Sequence, residues 1–376
     1  MSTEASPPTD FHMQRSSRDV EAFKGRLEDW LATRLPSGAS PRVTLHAGIE
    51  ANGLSSETVM LGVAWTQDGA ERTGEYVARV APAEQDIPVF SSYDLQAQYD
   101  VIRLVGELTD VPVPAVSWME PTGEVIGSPF FLMERVDGIV PPDVLPYTFG
   151  DNWLFDAPEA DRRRLQDTTV EVLARLHAIP DPTTTFGFLE REHGGATPLA
   201  RNLAWLRGWY EWAAADLARS PLVDRALAWL EAHLPATDDA VLCWGDARIG
   251  NVLYQDFEPA AVLDWEMVAL GPREMDVSWL VFAHRVFQTI TDMLGLPGMP
   301  DFLDEESVRA SYERAGGAPL GDLTWFHLYN GVIWCVVFMR TGVRQIHFGE
   351  IERPEDIEGL FHCKPLIEQL LQEVGA

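Results

Sequence analysis

Lysine is nearly missing from this chain. Only Lys24 and Lys364 occur in 376 residues, and neither lies in a Gly-Lys-Ser/Thr setting. A nucleotide-binding P-loop needs that lysine beside its glycine-rich turn, so Walker-type NTPase chemistry is excluded. Cysteine is scarce as well. Cys243, Cys335 and Cys363 are odd in number and far apart, which fits reduced thiols rather than a disulfide framework or a Cys-x-x-Cys zinc site. No Gly-x-Gly-x-x-Gly, Gly-x-Ser-x-Gly or His-Glu-x-x-His run is present, which argues against dinucleotide, α/β-hydrolase and zincin sites. Long apolar runs are absent too. The most apolar stretch, Gly331 to Met339, falls far short of the ~20 residues that cross a bilayer. Residues 1–10 carry acids and prolines where a signal peptide has basic and apolar residues. A cytoplasmic protein without a membrane segment is the expectation.

Positive charge is the other shortage. Lys and Arg total 28 against 58 Asp and Glu, a net charge of 28 − 58 = −30. Such a surface repels nucleic acid and anionic lipid, because sequence-independent DNA binding comes from neutralising phosphates. It favours a cationic partner, although acidity also serves plain solubility. What the chain does have is core-forming material: 46% of its residues are hydrophobic, and its length suits about two domains.

The chain changes character along its length. Residues 1–16 read as a disordered tail. Val20, Phe23, Leu27, Trp30 and Leu31 then recur at helical spacing, from a cap at Ser17 to the stop at Pro36 and Gly38. Alternation replaces that period at Val43 and Leu45 and again from Val59 to Trp65. A third strand, Tyr76–Val80, follows an Asp68-Gly69 turn. Helical spacing returns over about 92–105, with Gln98 among its inward positions. Two strands around 115–119 and 129–136 follow. Antiparallel strands with one inserted helix predict an α+β lobe. After the prolines at 141, 142 and 146 helices dominate, among them one over 322–343 and one carrying Trp205, Trp209 and Trp212. They are interrupted by a β segment at 241–267. The domain boundary is expected near residue 136, with lobes at 17–136 and 137–376.

The β segment carries the chemistry. It reads Trp244-Gly245-Asp246-Ala247-Arg248-Ile249-Gly250-Asn251, a short connection, then Leu263-Asp264-Trp265-Glu266. If Asn251–Tyr254 and Ala261–Asp264 pair as a hairpin with Tyr254 opposite Ala261, Asn251 faces Asp264. Directly opposed residues have Cβ atoms about 5 Å apart, so an amide oxygen and a carboxylate would converge. Two hard oxygen ligands suit Mg²⁺, which takes its remaining ligands from water and phosphate. Asp246, just before the hairpin, is within reach of a substrate hydroxyl beside that ion.

These segments, with Gly271-Pro272-Arg273-Glu274-Met275-Asp276, resemble the catalytic and metal-binding segments of the aminoglycoside phosphotransferase family, relatives of the protein kinases. The resemblance covers almost everything after about residue 40. It extends to longer members also found fused to acyl-CoA dehydrogenases. It implies a bilobal protein-kinase-like α+β fold, with a small β-rich N-terminal lobe and a larger, mainly helical C-terminal lobe. The implied activity is ATP- and Mg²⁺-dependent transfer of the γ-phosphoryl group to an alcohol. In that reading Asp246 orients the hydroxyl and accepts its proton, and Asn251 and Asp264 hold Mg²⁺. Arg248 stands where kinases place a lysine on the γ-phosphate, and Asp276 supports the loop from below. The backbone of Glu134 and Val136 would bond adenine, and Ser55 and Ser56 fall in the loop that covers the phosphates.

Three positions depart from the family's pattern. Arg79, in Tyr76-Val77-Ala78-Arg79-Val80, replaces the lysine that grips the α/β-phosphates; it keeps the charge with a bulkier fork. Gln98 stands for its glutamate partner, and Trp244 replaces the histidine before Gly-Asp. These changes support a second reading, a nucleotide-binding regulatory protein of kinase fold with little or no transferase activity.

Overall fold

In the computed structural model the described residues are 20–46, 56–83, 86–143, 146–191 and 194–376. They form two compact units. One holds the described residues up to Val89 together with Ser117–Arg135; the other holds Phe90–Val116 and Val136–Ala376. Sequence periodicity had grouped the helix near residue 98 with the strands that flank it. By contacts it groups with the helices instead.

The first unit is a five-stranded sheet backed by a helix. Helix α1 (Val20–Ala32) is followed by β1 (Arg42–Leu45), β2 (Glu57–Gln67) and β3 (Ala70–Val80). Asp68 and Gly69, both at positive φ (52° and 75°), make the two-residue turn between β2 and β3. A turn with both central residues left-handed matches the natural twist of a hairpin. Strands β4 (Val116–Glu120) and β5 (Phe130–Glu134) complete the sheet in the order β1-β2-β3-β5-β4. Along β2, Val59, Leu61 and Val63 alternate inward, as the sequence indicated. They meet Phe23, Leu27, Trp30 and Leu31 of α1 in one buried cluster. The rings of Trp30 and Phe130 pack edge to face, 4.7 Å between centroids.

The second unit begins with α2 (Leu95–Leu108), capped by the Asp94 carboxylate on the Ala97 N–H. Then come α3 (Glu159–His177), the single turn α4 (Pro182–Thr185), α5 (Pro198–Asp216) and α6 (Pro221–Ala232). Helices α5 and α6 each start with a hydroxyl cap (Thr197, Ser220) and a proline in the first turn, where the missing N–H costs nothing. Strands β6 (Val241–Cys243), β7 (Val252–Gln255), β8 (Glu258–Val262) and β9 (Ala269–Gly271) interrupt the helices. Helices α7 (Glu274–Met293), α8 (Glu305–Arg314), α9 (Thr324–His347) and α10 (Lys364–Glu373) close the chain. β6 pairs with β9, and β7 with β8, both antiparallel. Among the described residues no helix is long and apolar enough to cross a membrane.

Candidate active site

The loop between β6 and β7 holds Asp246, and a buried carboxylate holds the loop. Asp276, in the first turn of α7, is fully buried and accepts from the backbone N–H groups of Trp244 (2.7 Å) and Gly245 (2.8 Å), one on each oxygen. His177 Nε2 donates to the same carboxylate at 3.1 Å, and its Nδ1 meets the Tyr312 hydroxyl at 2.8 Å. The supporting role expected of Asp276 is thus a specific one: it charges and orients the turn that presents Asp246. Gly245 is required there. Its φ is +93°, and a Cβ would lie 2.2 Å from the Met267 carbonyl oxygen.

His177, Cys243 and Asp276 bring their ligand atoms within 4.8 Å of one another, yet the cluster is closed by hydrogen bonds. Cys243 Sγ faces the carbonyls of Gly271 and Pro272 at 3.5 Å. Burial, reinforced by the neighbouring Asp276 charge, pushes its thiol well above the ordinary range. A thiol so hard to ionise makes a poor metal ligand.

Three donors grip the Asp246 carboxylate. Asn251 Nδ2 donates to Oδ2 at 2.7 Å and to the Asp246 carbonyl at 3.0 Å. Arg248 Nε bridges both oxygens at 3.1 and 3.2 Å. The Trp279 indole N–H donates to Oδ1 at 2.8 Å. Arg248 also pairs through Nη1 with Asp143. Burial works against the Arg248 charge, but Asp143, Asp246 and Asp264 outweigh it and hold the guanidinium well above its usual range.

The expected hairpin is present with a different register. β7 and β8 pair Leu253 with Ala261 and Val252 with Val262, while Tyr254 pairs with Pro259. The proposed pairing of Tyr254 with Ala261 is therefore wrong. Asp256 and Phe257, both at positive φ, make a tighter turn than the six-residue connection assumed, and an irregularity between Leu253 and Tyr254 then adds a residue to β8. Continued along the ladder, Asn251 meets Leu263, whose N–H donates to the Asn251 carbonyl at 2.9 Å. Asp264 comes one residue later, outside the ladder, at φ +58°. A one-residue slip would normally turn a side chain to the other face of the ladder, but Asp264 lies beyond the ladder, and its charge contributes to the field at Arg248.

Trp244 links the two segments. Buried completely, its indole N–H donates to the carbonyls of Leu263 (2.9 Å) and Asp264 (3.1 Å). The Asp246 loop and the Asp264 segment are thereby tied by the residue that departs from the family's pattern.

Asp246, Arg248, Asn251 and Asp264 are thus gathered in the second unit. Val136 lies in that unit too, half-buried. Three candidates belong to the first. Ser56 is buried just ahead of β2; Arg79 sits opposite Thr58 in the β2–β3 register and donates to its hydroxyl at 3.0 Å; Glu134 is the exposed end of β5, opposite Tyr76. Gln98 is buried on α2. Ser55 and the cap expected at Ser17 lie outside the described residues. Sequence reasoning missed Asp143 and Trp279. Trp279 had a signal, since it lies three residues beyond Asp276 and so on the same helix face. Asp143 follows two prolines and had none.

The donor set fits a divalent cation. Asn251 commits its amide nitrogen to Asp246, which leaves its amide oxygen as an acceptor, and Asp264 adds a carboxylate two residues after the hairpin. Hard oxygens of this kind match Mg²⁺.

The profile of the Phosphotransferase enzyme family matches residues 53–322. Acyl-CoA dehydrogenase family member 10 of Mus musculus is 26% identical over 212 residues, which is 56% of this chain and 18% of that protein. Arabidopsis thaliana IBR3, named as a probable acyl-CoA dehydrogenase, is 26% identical over 269 residues, 66% of this chain and 30% of that protein. The chain therefore spans less than a third of either relative. Among solved structures, a Ralstonia eutropha JMP134 protein provisionally named an aminoglycoside phosphotransferase is similar with a TM-score of 0.63 at 21% identity, covering 94% of this chain and 97% of that one. Macrolide 2'-phosphotransferase MphH from Brachybacterium faecium follows with TM-score 0.51 at 17% identity, covering 89% and 97%. A thermostable mutant of aminoglycoside phosphotransferase APH(4)-Ia, solved in ternary complex with ADP and hygromycin B, gives 0.50 at 16%, covering 91% and 98%. At such identities the likeness establishes the kinase-like α+β fold alone.

Proposed function

The chain belongs to the phosphotransferase enzyme family, and from that premise we propose that it moves the γ-phosphoryl group of ATP to the hydroxyl of a small-molecule alcohol. The observation that carries this reading is the Asp246 carboxylate, fixed by Asn251, Arg248 and Trp279. A base positioned by three donors has its lone pairs directed before the acceptor arrives, and phosphoryl transfer depends mainly on such positioning and on charge neutralisation. The nucleotide in the APH(4)-Ia complex supports ATP as the donor.

In this mechanism Asp246 orients the acceptor hydroxyl and takes its proton as the oxygen attacks the γ-phosphorus, and the bond from that phosphorus to the bridging oxygen breaks to release ADP. Arg248 turns from Asp143 toward the transferring group. Asn251 and Asp264 would hold Mg²⁺, which supplies charge neutralisation to the phosphates when bound. Arg79 grips the α/β-phosphates, with Ser55 and Ser56 in the loop over them and the backbone of Glu134 and Val136 at the adenine.

The second reading, a nucleotide binder without turnover, draws on Arg79 and Gln98. Trp244 no longer supports it, because its indole ties the two catalytic segments together. Nucleotide consumption against a panel of alcohols separates the two. Turnover with at least one alcohol is expected. Asp246→Asn should lower it by orders of magnitude while nucleotide affinity stays within a few-fold. Tight Mg²⁺-dependent nucleotide binding with no turnover on any alcohol would favour the regulatory reading.

A further inference from the structure

Arg191 is a half-buried cation that meets no anion among the described residues. It follows the short turn Gly187–Leu189, and its Nε donates to Asn202 Oδ1 at 3.0 Å. Its guanidinium lies 4.1 Å from the Trp205 ring centroid. Nη1 and Nη2 make no hydrogen bond to any described residue, and among the described residues no carboxylate is in ion-pair distance. The preceding residue, Glu190, is paired with Arg201 at 2.8 Å. Desolvation lowers the Arg191 pKa to about 10, with only the Tyr329 hydroxyl opposing it. A guanidinium largely withdrawn from water usually finds a partner, because an isolated charge in a low-dielectric setting is costly. Stacking on Trp205 recovers part of that cost but leaves two nitrogens and the charge without a partner among the described residues.

The place of this charge gives it a use. Arg191 lines a pocket together with Trp205, Gly245, Trp279 and Asn330. Gly245 immediately precedes Asp246, and Trp279 donates to its carboxylate. The cavity volume of about 20 Å³ holds about one water, so it can take only the tip of an acceptor group.

We infer that this pocket receives an anionic group of the acceptor, a carboxylate or a phosphate monoester, which pairs with Arg191 while the acceptor's hydroxyl reaches Asp246. The inference rests on the phosphotransferase reading and deepens it by naming the acceptor's class. It runs against the overall charge of −30, which favoured a cation. The field of exposed charges is screened beyond about 8–10 Å, whereas a desolvated guanidinium acts at contact.

The test measures nucleotide consumption by the full chain with four acceptor sets: hydroxy carboxylates of three to six carbons, their primary amides, phosphorylated alcohols such as glycerol 3-phosphate, and amino alcohols including aminoglycosides. At least one anionic set should be turned over, with a KM about 30-fold or more below that of its neutral counterpart, as a buried charge pair implies. The better anionic set identifies carboxylate or phosphate. Arg191→Met should raise the KM of that acceptor by a similar factor and that of the amide far less, and Arg191→Lys should recover part of the loss. Turnover of amino alcohols with none of the anions would overturn the inference and leave the phosphotransferase reading intact. So would an unchanged anion KM in Arg191→Met. If no alcohol is consumed, the anion site is read from melting temperature against butanoate with nucleotide saturating. A butanoate-dependent rise lost in Arg191→Met supports the site, and equal behaviour of the two proteins overturns it.

Discussion

The Trp279 indole N–H donates to Asp246 Oδ1 at 2.8 Å, so a residue on α7, 33 positions downstream, completes the set of donors around the proposed base. Trp279 is itself buried, and the ring that orients Asp246 also walls the pocket holding Arg191. One side chain thus touches both the base and the proposed acceptor site.

Trp279→Phe keeps most of the ring and removes the donor. A hydrogen bond to a charged group contributes about 1.5–3 kcal/mol, so kcat should fall about 10- to 100-fold. Nucleotide affinity should stay within a few-fold, since the indole addresses Asp246. Steady-state kinetics and calorimetry read the two quantities; an unchanged kcat would remove Trp279 from the machinery.

Asp264→Ala should damage Mg²⁺-dependent nucleotide binding more than Asn251→Ala, because an anionic oxygen contributes more to a divalent site than an amide oxygen. Asn251→Ala carries a second effect, the loss of the 2.7 Å bond to Asp246, and should therefore lower kcat beyond what its affinity loss explains. The double mutant should bind little worse than Asp264→Ala alone, since neighbours sharing one function are non-additive. Additive losses of Mg²⁺-dependent affinity, measured by titration with and without a chelator, would count against a shared ion.

His284 predicts a stability profile with pH. It is buried, with Nδ1 on the Tyr147 hydroxyl at 2.9 Å and Nε2 on the Met299 carbonyl at 3.0 Å. Desolvation lowers its pKa from 6.5 to about 4, against smaller opposing effects of Met299 and Asp304. The unfolded chain therefore takes up a proton first as pH falls. The stabilisation is present in full above pH 6.5 and is lost on acidification toward pH 4, by about 2 kcal/mol at pH 5. His284→Gln should be less stable at pH 7.5, and the gap to the parent should narrow by about that amount at pH 5. Urea denaturation at the two pH values checks it; parallel pH profiles of the two proteins would contradict it.

Much of this was legible before any coordinates. The Val59-Leu61-Val63 alternation and the Asp68-Gly69 turn fell where β2 and its hairpin turn are found. Each depends on neighbours within a few positions, so a period or a turn residue reveals it. Of the tryptophans that share α5, Trp209 is buried in the core, whereas Trp205 stacks against Arg191. Periodicity cannot separate those two roles, because both place the ring on an inward face.

By itself the sequence determined the α+β order of elements and singled out the segment 244–251, with Asp264 beyond it, for the proposed chemistry. Those are properties of residue types at short spacing. The tertiary structure alone decided the rest. The tight Asp256-Phe257 turn left Asp264 one residue beyond the ladder, and the buried Asp276 carboxylate, pairing with two backbone N–H groups 31 and 32 positions away, set the angle of the Asp246 turn. Asp143, Trp279 and Arg191 joined the site from separate parts of the chain. Their roles depend on burial and on which charges find a partner, and both are settled only when distant segments close around them.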